Sequence, residues 1–382
     1  MTLGLAALWA TRAAANPVHP PPIQVGPSRA IKTIAEAARR ARDGDRIEID
    51  AGDYYGDVAV WLQNDLTIVS AGGRARLRAD GASAEGKAIW VVRGQRVLIE
   101  GFDFTGAAVP SRNGAGLRFD VGSLTVRDCS FMHNEMGLMT GNEARTVLEV
   151  ESCEFAYNLR PDGHNHNLYA GRIARLSVTG SYFHHAQTGH LFKSRAAVSD
   201  VLYNRLVDGA GGRASYELEF PEGGIATVIG NVIAQNAQTE NLVLVSFGAE
   251  GYRWPANELY LASNTLIDRP NPPGTFLHVW PGVGKVQVVN NLFVGNGDVR
   301  AGGMLLEPQN VVLTHAAFAR YSDAQFRLKA DAPIRGRWST PGSTGARAWA
   351  PDREYVHPRG TVALAGSAHN PGAMQSVAPE PR

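Results

Sequence analysis

Residues 163–220 read GHNHNLYAGRIARLSVTGSYFHHAQTGHLFKSRAAVSDVLYNRLVDGAGGRASYELEF. Two kinds of short strand alternate here, separated by turn residues. Residues 176–183 and 200–206 are chemically bland. Residues 167–170, 190–193 and 216–220, with their flanks, carry Lys, Arg, Glu, His and Tyr. A bland strand followed by a reactive one is the pattern of a repeating scaffold with a groove on one side.

The bland strand recurs along the chain. VLIEGFDF (97–104), LTVRDCSF (124–131), LEVESCEF (148–155), LSVTGSYF (176–183), VLYNRL (201–206), VIGNVI (228–233), LASNTL (261–266) and VVNNLF (288–293) align without gaps in their cores. One column then reads Phe102, Cys129, Cys153, Ser181, Asn204, Asn231, Asn264, Asn291. Subtracting those numbers gives steps of 27, 24, 28, 23, 27, 33 and 27 residues. A fixed column with variable insertions predicts stacked coils whose loops grow on one side. The asparagines predict a ladder of amides about 4.8 Å apart, structural rather than catalytic. Cys129 and Cys153 fall in the same column. A disulfide is geometrically conceivable there, but stacked free thiols packing as small apolar groups are the favoured reading.

Toward the N-terminus, residues 28–44 have helical spacing, with Ser28 placed to cap and Gly44 to end the helix. Gly44-Asp-Arg-Ile-Glu-Ile-Asp-Ala-Gly-Asp-Tyr-Tyr follows. Here the sequence resembles the opening of the right-handed parallel β-helix family of pectate-lyase type, in which a helix caps the first coil. The expected fold is therefore all-β: a single-stranded right-handed parallel β-helix, residues 28–335, with an N-terminal capping helix. Residues 1–15 read as the back half of a secretory signal, so a secreted or periplasmic location is expected. Residues 16–27 read as a Pro-rich linker. Residues 336–382, rich in Gly, Pro and Ala, are expected to wrap the outside or fray.

The chain has 382 residues and a formal charge of +1, which gives no global field for nucleic acid or membrane surfaces. No apolar run reaches the roughly 18 residues needed to span a bilayer. A monomer is expected.

Alternation places residues i and i+2 on one side of a strand. With Leu168, Ala170, Phe192, Leu218, Phe220, Leu277 and Val279 inward, the outward set includes Asn167, Tyr169, Leu191, Lys193, Arg195, Glu217, Glu219, Phe276, His278 and Trp280. Glu217 and Glu219 would then sit together, about 7 Å apart. Tyr169, Lys193, Arg195, Glu217, Glu219 and His278 form one expected stripe, overhung by the 160–166 loop with His164 and His166. Tyr252, Trp254, Trp280 and His278 read either as sugar-stacking walls or as loop anchors.

Such a stripe suits proton abstraction from C5 of a uronic acid. Lys193 is the expected base. Arg195 would neutralise the substrate carboxylate and, by repulsion, lower the lysine's proton affinity. His190, His166 or Tyr169 would supply the second proton transfer. His164, Asn167, Glu217, Glu219, His278 and Trp280 are the expected substrate contacts. Lys193-Ser194 with Tyr203-Asn204 resembles the Lys-Ser…Asn pattern of alginate- and chondroitin-type β-helix lyases, where the Lys is the Brønsted base. Those enzymes carry a Glu-x-Glu calcium pair just before the Lys and an Arg acid one coil later. Thr188-Gly-His190 and Glu217/Glu219 stand near those places instead. Ser194-Arg195 also resembles mannuronan C5-epimerases of the same fold.

The expected activity is thus a polysaccharide lyase acting on an acidic polysaccharide by β-elimination. Three alternatives remain at this point: a glycoside hydrolase using Glu217/Glu219, a uronate C5-epimerase, and a non-catalytic carbohydrate-binding surface protein. No metal ligand set is complete around His164 and His166, and no cofactor is required. Calcium enters only through the resemblance.

Overall fold

The structure is a computed structural model that describes residues 20–160, 162–269, 272–301, 305–306, 309–345 and 347–379. Residues 1–15, read as a signal segment, lie outside the described residues. The chain winds as a parallel β-solenoid with three strands per coil. One face stacks Val147–Glu151, Arg175–Thr179, Val198–Leu202, Ile225–Ile229, Glu258–Ala262 and Lys285–Val289 in parallel register. A second stacks Glu154–Ala156, Tyr182–His184, Arg205–Val207, Val232–Ala234, Thr265–Ile267 and Leu292–Val294. A third stacks His166–Ala170, His190–Ser194, Leu218–Phe220, Val243–Phe247, Thr275–Val279 and Asp298–Ala301.

The interior is filled coil by coil. Phe104, Phe131, Phe155 and Phe183 stack face to face with centroids 4.9, 4.9 and 4.7 Å apart. Each is fully or almost fully buried. Parallel rings at this spacing contribute about 0.5–1.5 kcal/mol per pair beyond burial.

The corner between the first and second faces holds the expected ladder. Asn204 N–H donates to Asn231 Oδ1 (2.8 Å), Asn231 N–H to Asn264 Oδ1 (2.9 Å), Asn264 N–H to Asn291 Oδ1 (2.8 Å) and Asn291 N–H to Asn310 Oδ1 (2.9 Å). Upstream the same column continues with smaller acceptors. Ser181 N–H donates to Asn204 Oδ1, Cys153 N–H to Ser181 Oγ, and Cys129 N–H to Cys153 Sγ. Both cysteines are buried free thiols. A second, shorter amide column, Asn134–Asn158–Asn167, closes the next corner. It escaped the repeat alignment.

The N-terminal end differs from expectation. The helix runs Ile34–Arg40 and is capped by Thr33, whose hydroxyl accepts from Glu36 N–H. Asp57 takes the Ile34 and Ala35 N–H groups. Ser28 and Gly44 lie outside the helix, because Ile23–Val25 is already a strand paired with Ile47–Ile49 and Val25 bridges Ile31. The solenoid therefore begins inside the stretch expected to be a linker. At the other end, residues 343–379 turn back along the outer wall. Tyr203 Oη donates to Asp352 (2.8 Å), Gly360 N–H to Gly180 O (2.7 Å), and Gly372 N–H to Asn290 O (2.8 Å). No helix among the described residues is long and apolar enough to cross a membrane.

Candidate active site

The third face carries one continuous outward column. Its register runs Arg118, Met139, Tyr169, Lys193, Glu219, Ser246, His278, Arg300. Tyr169, Lys193, Glu219 and His278 thus share a stripe, as alternation predicts. A second column, His166, His190, Tyr216, runs beside it at the strand entrances.

Four expected outward residues point elsewhere, for one reason. Each strand of this face enters through a bend that turns two consecutive residues inward. Leu191 and Phe192 are both fully buried in the core. Their equivalents Asn167/Leu168, Glu217/Leu218, Leu244/Val245 and Phe276/Leu277 are at most 2% exposed. Strict two-residue alternation fails at that step. Asn167, expected to contact substrate, instead donates to Phe155 O and His184 O in the interior. Phe276 packs in the core. Glu217 lies inside, in a column otherwise built of Asn, Leu, Leu and Phe, and neither of its carboxylate oxygens has a hydrogen-bond partner. Burial above all, and then Asp208, hold its carboxyl well above the usual range. Glu217 and Glu219 therefore cannot act as an acid–base pair on one substrate.

Lys193 is recessed into the floor, with its side chain 10% exposed. Its Nζ lies 2.9 Å from Glu219 Oε2 and donates to Glu250 Oε1 at 3.2 Å. His190 Nδ1 approaches the same Glu219 Oε2 at 3.1 Å, off the hydrogen-bonding direction. One carboxylate oxygen is therefore shared by amine and imidazole. Burial holds His190 below its usual proton affinity, against the pull of Glu219. Burial drives His166 well below, helped by the charges of His190 and Lys193. The two rings sit 4.7 Å apart. Glu219 ends below the usual carboxylate range: burial alone would raise it, but His190 and Lys193 outweigh that.

Arg195 is not a spare cation. Its Nε donates to Tyr169 Oη (3.1 Å), and its two terminal nitrogens reach Glu250 at 2.6 and 2.8 Å. Nη1 also reaches Glu222 at 2.7 Å. Arg172 grips Glu222 in bidentate fashion at 2.7 and 2.6 Å. The bond from Arg195 is the main cause that lowers Glu250 to about 2. The expected repulsion between Lys193 and Arg195 is thus replaced by a chain of alternating charge, Glu219–Lys193–Glu250–Arg195–Glu222–Arg172. Sequence reading missed Glu222, Glu250 and Arg172, which sit in turns with no period. The one available signal was a glutamate two or three residues past Phe220 and Phe247, a register pair.

The described part of the expected loop, residues 162–166, overhangs the floor. It encloses an open cavity of about 600 Å³ with His164, His166, Thr188, His190, Lys193 and Glu240 on its walls. His164 is exposed at the rim and lies 3.8 Å from Asp162. About three rungs beyond Lys193, roughly 14 Å along the stack, His278 stacks on Trp280 with centroids 4.3 Å apart. Trp280 is 38% exposed. Trp254 and Tyr252 are loop anchors: the indole donates to Arg195 O and the phenol to Trp280 O. Among the described residues, no group of three or more His, Cys, Asp or Glu is arranged to hold a metal ion.

No protein-family model matches the sequence, and no curated protein matches it. Solved structures do resemble the fold. The pectate lyase Pel9A superposes with a TM-score of 0.61 at 14% identity, covering 90% of this chain and 91% of that one. An alginate lyase from Paenibacillus sp. str. FPU-7 gives 0.51 at 15% identity, covering 74% of this chain and 95% of that one. These structural neighbours are polysaccharide lyases built as parallel β-solenoids.

Proposed function

We propose that the third-face groove binds an acidic polysaccharide and cleaves it by β-elimination. The observation that carries this reading is the convergence of Lys193, His190, His166, Tyr169 and Arg195 on one recessed floor with carboxylates interleaved between them. Elimination at a uronic acid needs a base for the C5 proton, cations beside the carboxylate that gains charge, and an acid for the leaving oxygen. When the C5–H bond breaks, its electrons form the C4=C5 bond as the C4–O bond opens and the leaving oxygen takes a proton.

Lys193 and His190 share Glu219 Oε2, so the amine meeting the substrate becomes a base by passing its proton to the His190 ring and then takes the C5 proton. A substrate carboxylate entering beside Arg195 competes with Glu250 for the guanidinium, a bidentate exchange of like for like. Tyr169 Oη, bonded to Arg195 Nε, is the group left to give the leaving oxygen its proton, since burial disfavours the protonated form of His166. The His278–Trp280 platform offers an apolar face to a sugar farther along the groove. Export to the cell exterior fits this reading.

A panel of uronic-acid polymers, followed by mass detection and absorbance near about 235 nm from the new enol ether, tests it. Unsaturated products lost in Lys193→Ala support elimination. Saturated products would mean hydrolysis, and unchanged mass with inverted C5 would mean epimerisation. Lys193→Ala with retained activity, alongside a dead His190→Ala, would move the base to the imidazole.

A further inference from the structure

Three carboxylates face Lys193 and Arg195, and they differ in depth. The side chains of Glu219 and Glu222 are 4% and 2% exposed, whereas that of Glu250 is 45% exposed. Among the described residues Glu250 is also the one acid that holds both cations. Its Oε2 and Oε1 accept from Arg195 Nη1 and Nη2 at 2.6 and 2.8 Å, and Oε1 also accepts from Lys193 Nζ at 3.2 Å. A guanidinium fork closed end-on over a carboxylate is how Arg grips a bound acid. Here the chain supplies that acid itself.

The loop that carries Glu250 is held by bonds of its own. Glu250 N–H donates to Pro221 O (2.8 Å), Gly251 N–H to Gly248 O (3.0 Å) and Arg253 N–H to Glu222 O (3.1 Å). Tyr252 Oη donates to Trp280 O, and the Trp254 indole to Arg195 O. The backbone can therefore stay in place while the half-exposed Glu250 side chain changes rotamer into water. When it does, Lys193 keeps Glu219 at 2.9 Å and Arg195 keeps Glu222 at 2.7 Å, so neither recessed cation is orphaned. Withdrawing Glu219 or Glu222 instead breaks a buried pair, which is the costly case. Arg195 lowers the proton affinity of Glu250 so far that it keeps its charge down to about pH 2. Mild acid therefore does not free the fork.

We propose that Glu250 is a built-in competitor for the ligand's acid group: its side chain stands where a uronate carboxylate binds, rotates out as the sugar enters, and returns to expel it. Glu250 thereby sets the affinity of the groove, because a ligand is bound only by what remains after displacement. This rests on the binding step of the groove reading above and not on elimination. The test therefore measures binding in the full chain. The probes are the methyl glycoside of a single uronic acid, which has no glycosidic bond at C4 to break, and that of its neutral parent sugar. Both are titrated by ligand-observed NMR. Glu250→Gln should bind the uronate about tenfold tighter than wild type. Glu250→Asp keeps the charge but shortens the arm, and it should tighten binding as well. The neutral glycoside should bind wild type and both variants alike. Equal uronate affinity in wild type and Glu250→Gln, or no uronate binding by Glu250→Gln, overturns the proposal. So does a tightening confined to Glu250→Gln, which would make the effect one of field rather than contact, or an equal gain for the neutral sugar. Uronic-acid polymers that bind without being cleaved would remove elimination and leave the competitor standing.

Discussion

Two edges of the same coils solve the burial of polar groups in opposite ways. At the first corner one residue type repeats, and each asparagine is satisfied by its copy on the next rung. On the third face nearly every rung differs, and satisfaction comes from opposite charge: Lys193 between Glu219 and Glu250, Arg195 between Glu250 and Glu222. The corner is a homogeneous column whose loss anywhere costs stability. The groove is a heterogeneous network whose members have exchangeable partners, and exchange is what a bound anion requires. Repetition makes scaffold, and broken repetition at an open rung makes a site.

That contrast is sharpest at Lys193. Lys193→Ala should lower turnover by about 10²–10⁴-fold, the range for a proton-transfer group, and also lower the denaturation midpoint, because buried Glu219 loses its ammonium partner. A large stability loss with activity per folded molecule intact would reverse the assignment of roles. The converse variant is Asn231→Leu. It removes the acceptor for Asn204 N–H and the donor to Val201 O and Ile229 O. Ile229 O keeps the Tyr203 N–H, so two buried groups are orphaned at about 1–3 kcal/mol each, and denaturant titration should register a loss of about 2–6 kcal/mol, with kcat unchanged.

Glu217 breaks both patterns, being the one acid in a column of Asn, Leu and Phe. Its folded proton affinity is raised, so the folded chain keeps a proton that the unfolded chain releases. Its favourable share is whole below pH 4.5, the ordinary value, and is lost as pH rises through the folded value. Glu217→Leu, matching Leu191 and Leu244, should therefore stabilise by about 1–3 kcal/mol at neutral pH. Melting curves should show the advantage growing between pH 5 and pH 8; an advantage that shrinks over that window would contradict the assignment. Trp280→Ala should act most weakly. Losing one stacking face should raise KM for long substrates about threefold to tenfold and leave short ones unaffected.

The coil repeat was legible because a period of 23 to 33 residues with a fixed polar column has no other common explanation. The outward column Tyr169–Lys193–Glu219–His278 was legible from strand alternation alone. Alternation misplaced Asn167, Leu191, Glu217 and Phe276 because a bend at the strand entrance inserts a second inward residue, and nothing in the local composition marks that bend. Glu222, Glu250 and Arg172 were invisible for a different reason: turns carry no period. The helix cap moved from Ser28 to Thr33 because pairing of Ile23–Val25 with the next coil outcompeted local propensity. The signal segment and the surrounding compartment rest on residues the structure does not describe.

A stack of coils in which each touches only its neighbours would be free to peel from either end. The returning tail opposes this from the C-terminal end. Arg359 reaches Asp128 and Cys129 O, Ala373 N–H donates to Thr265 Oγ1, and Gly372 N–H donates to Asn290 O. Coils more than 160 residues apart in sequence, from 128 to 290, are thereby fastened by one thread. The consequence is mechanical: fraying at the C-terminal rungs must first unzip contacts at the middle of the rod, so the rungs from 128 to 290 should melt as one cooperative body rather than turn by turn.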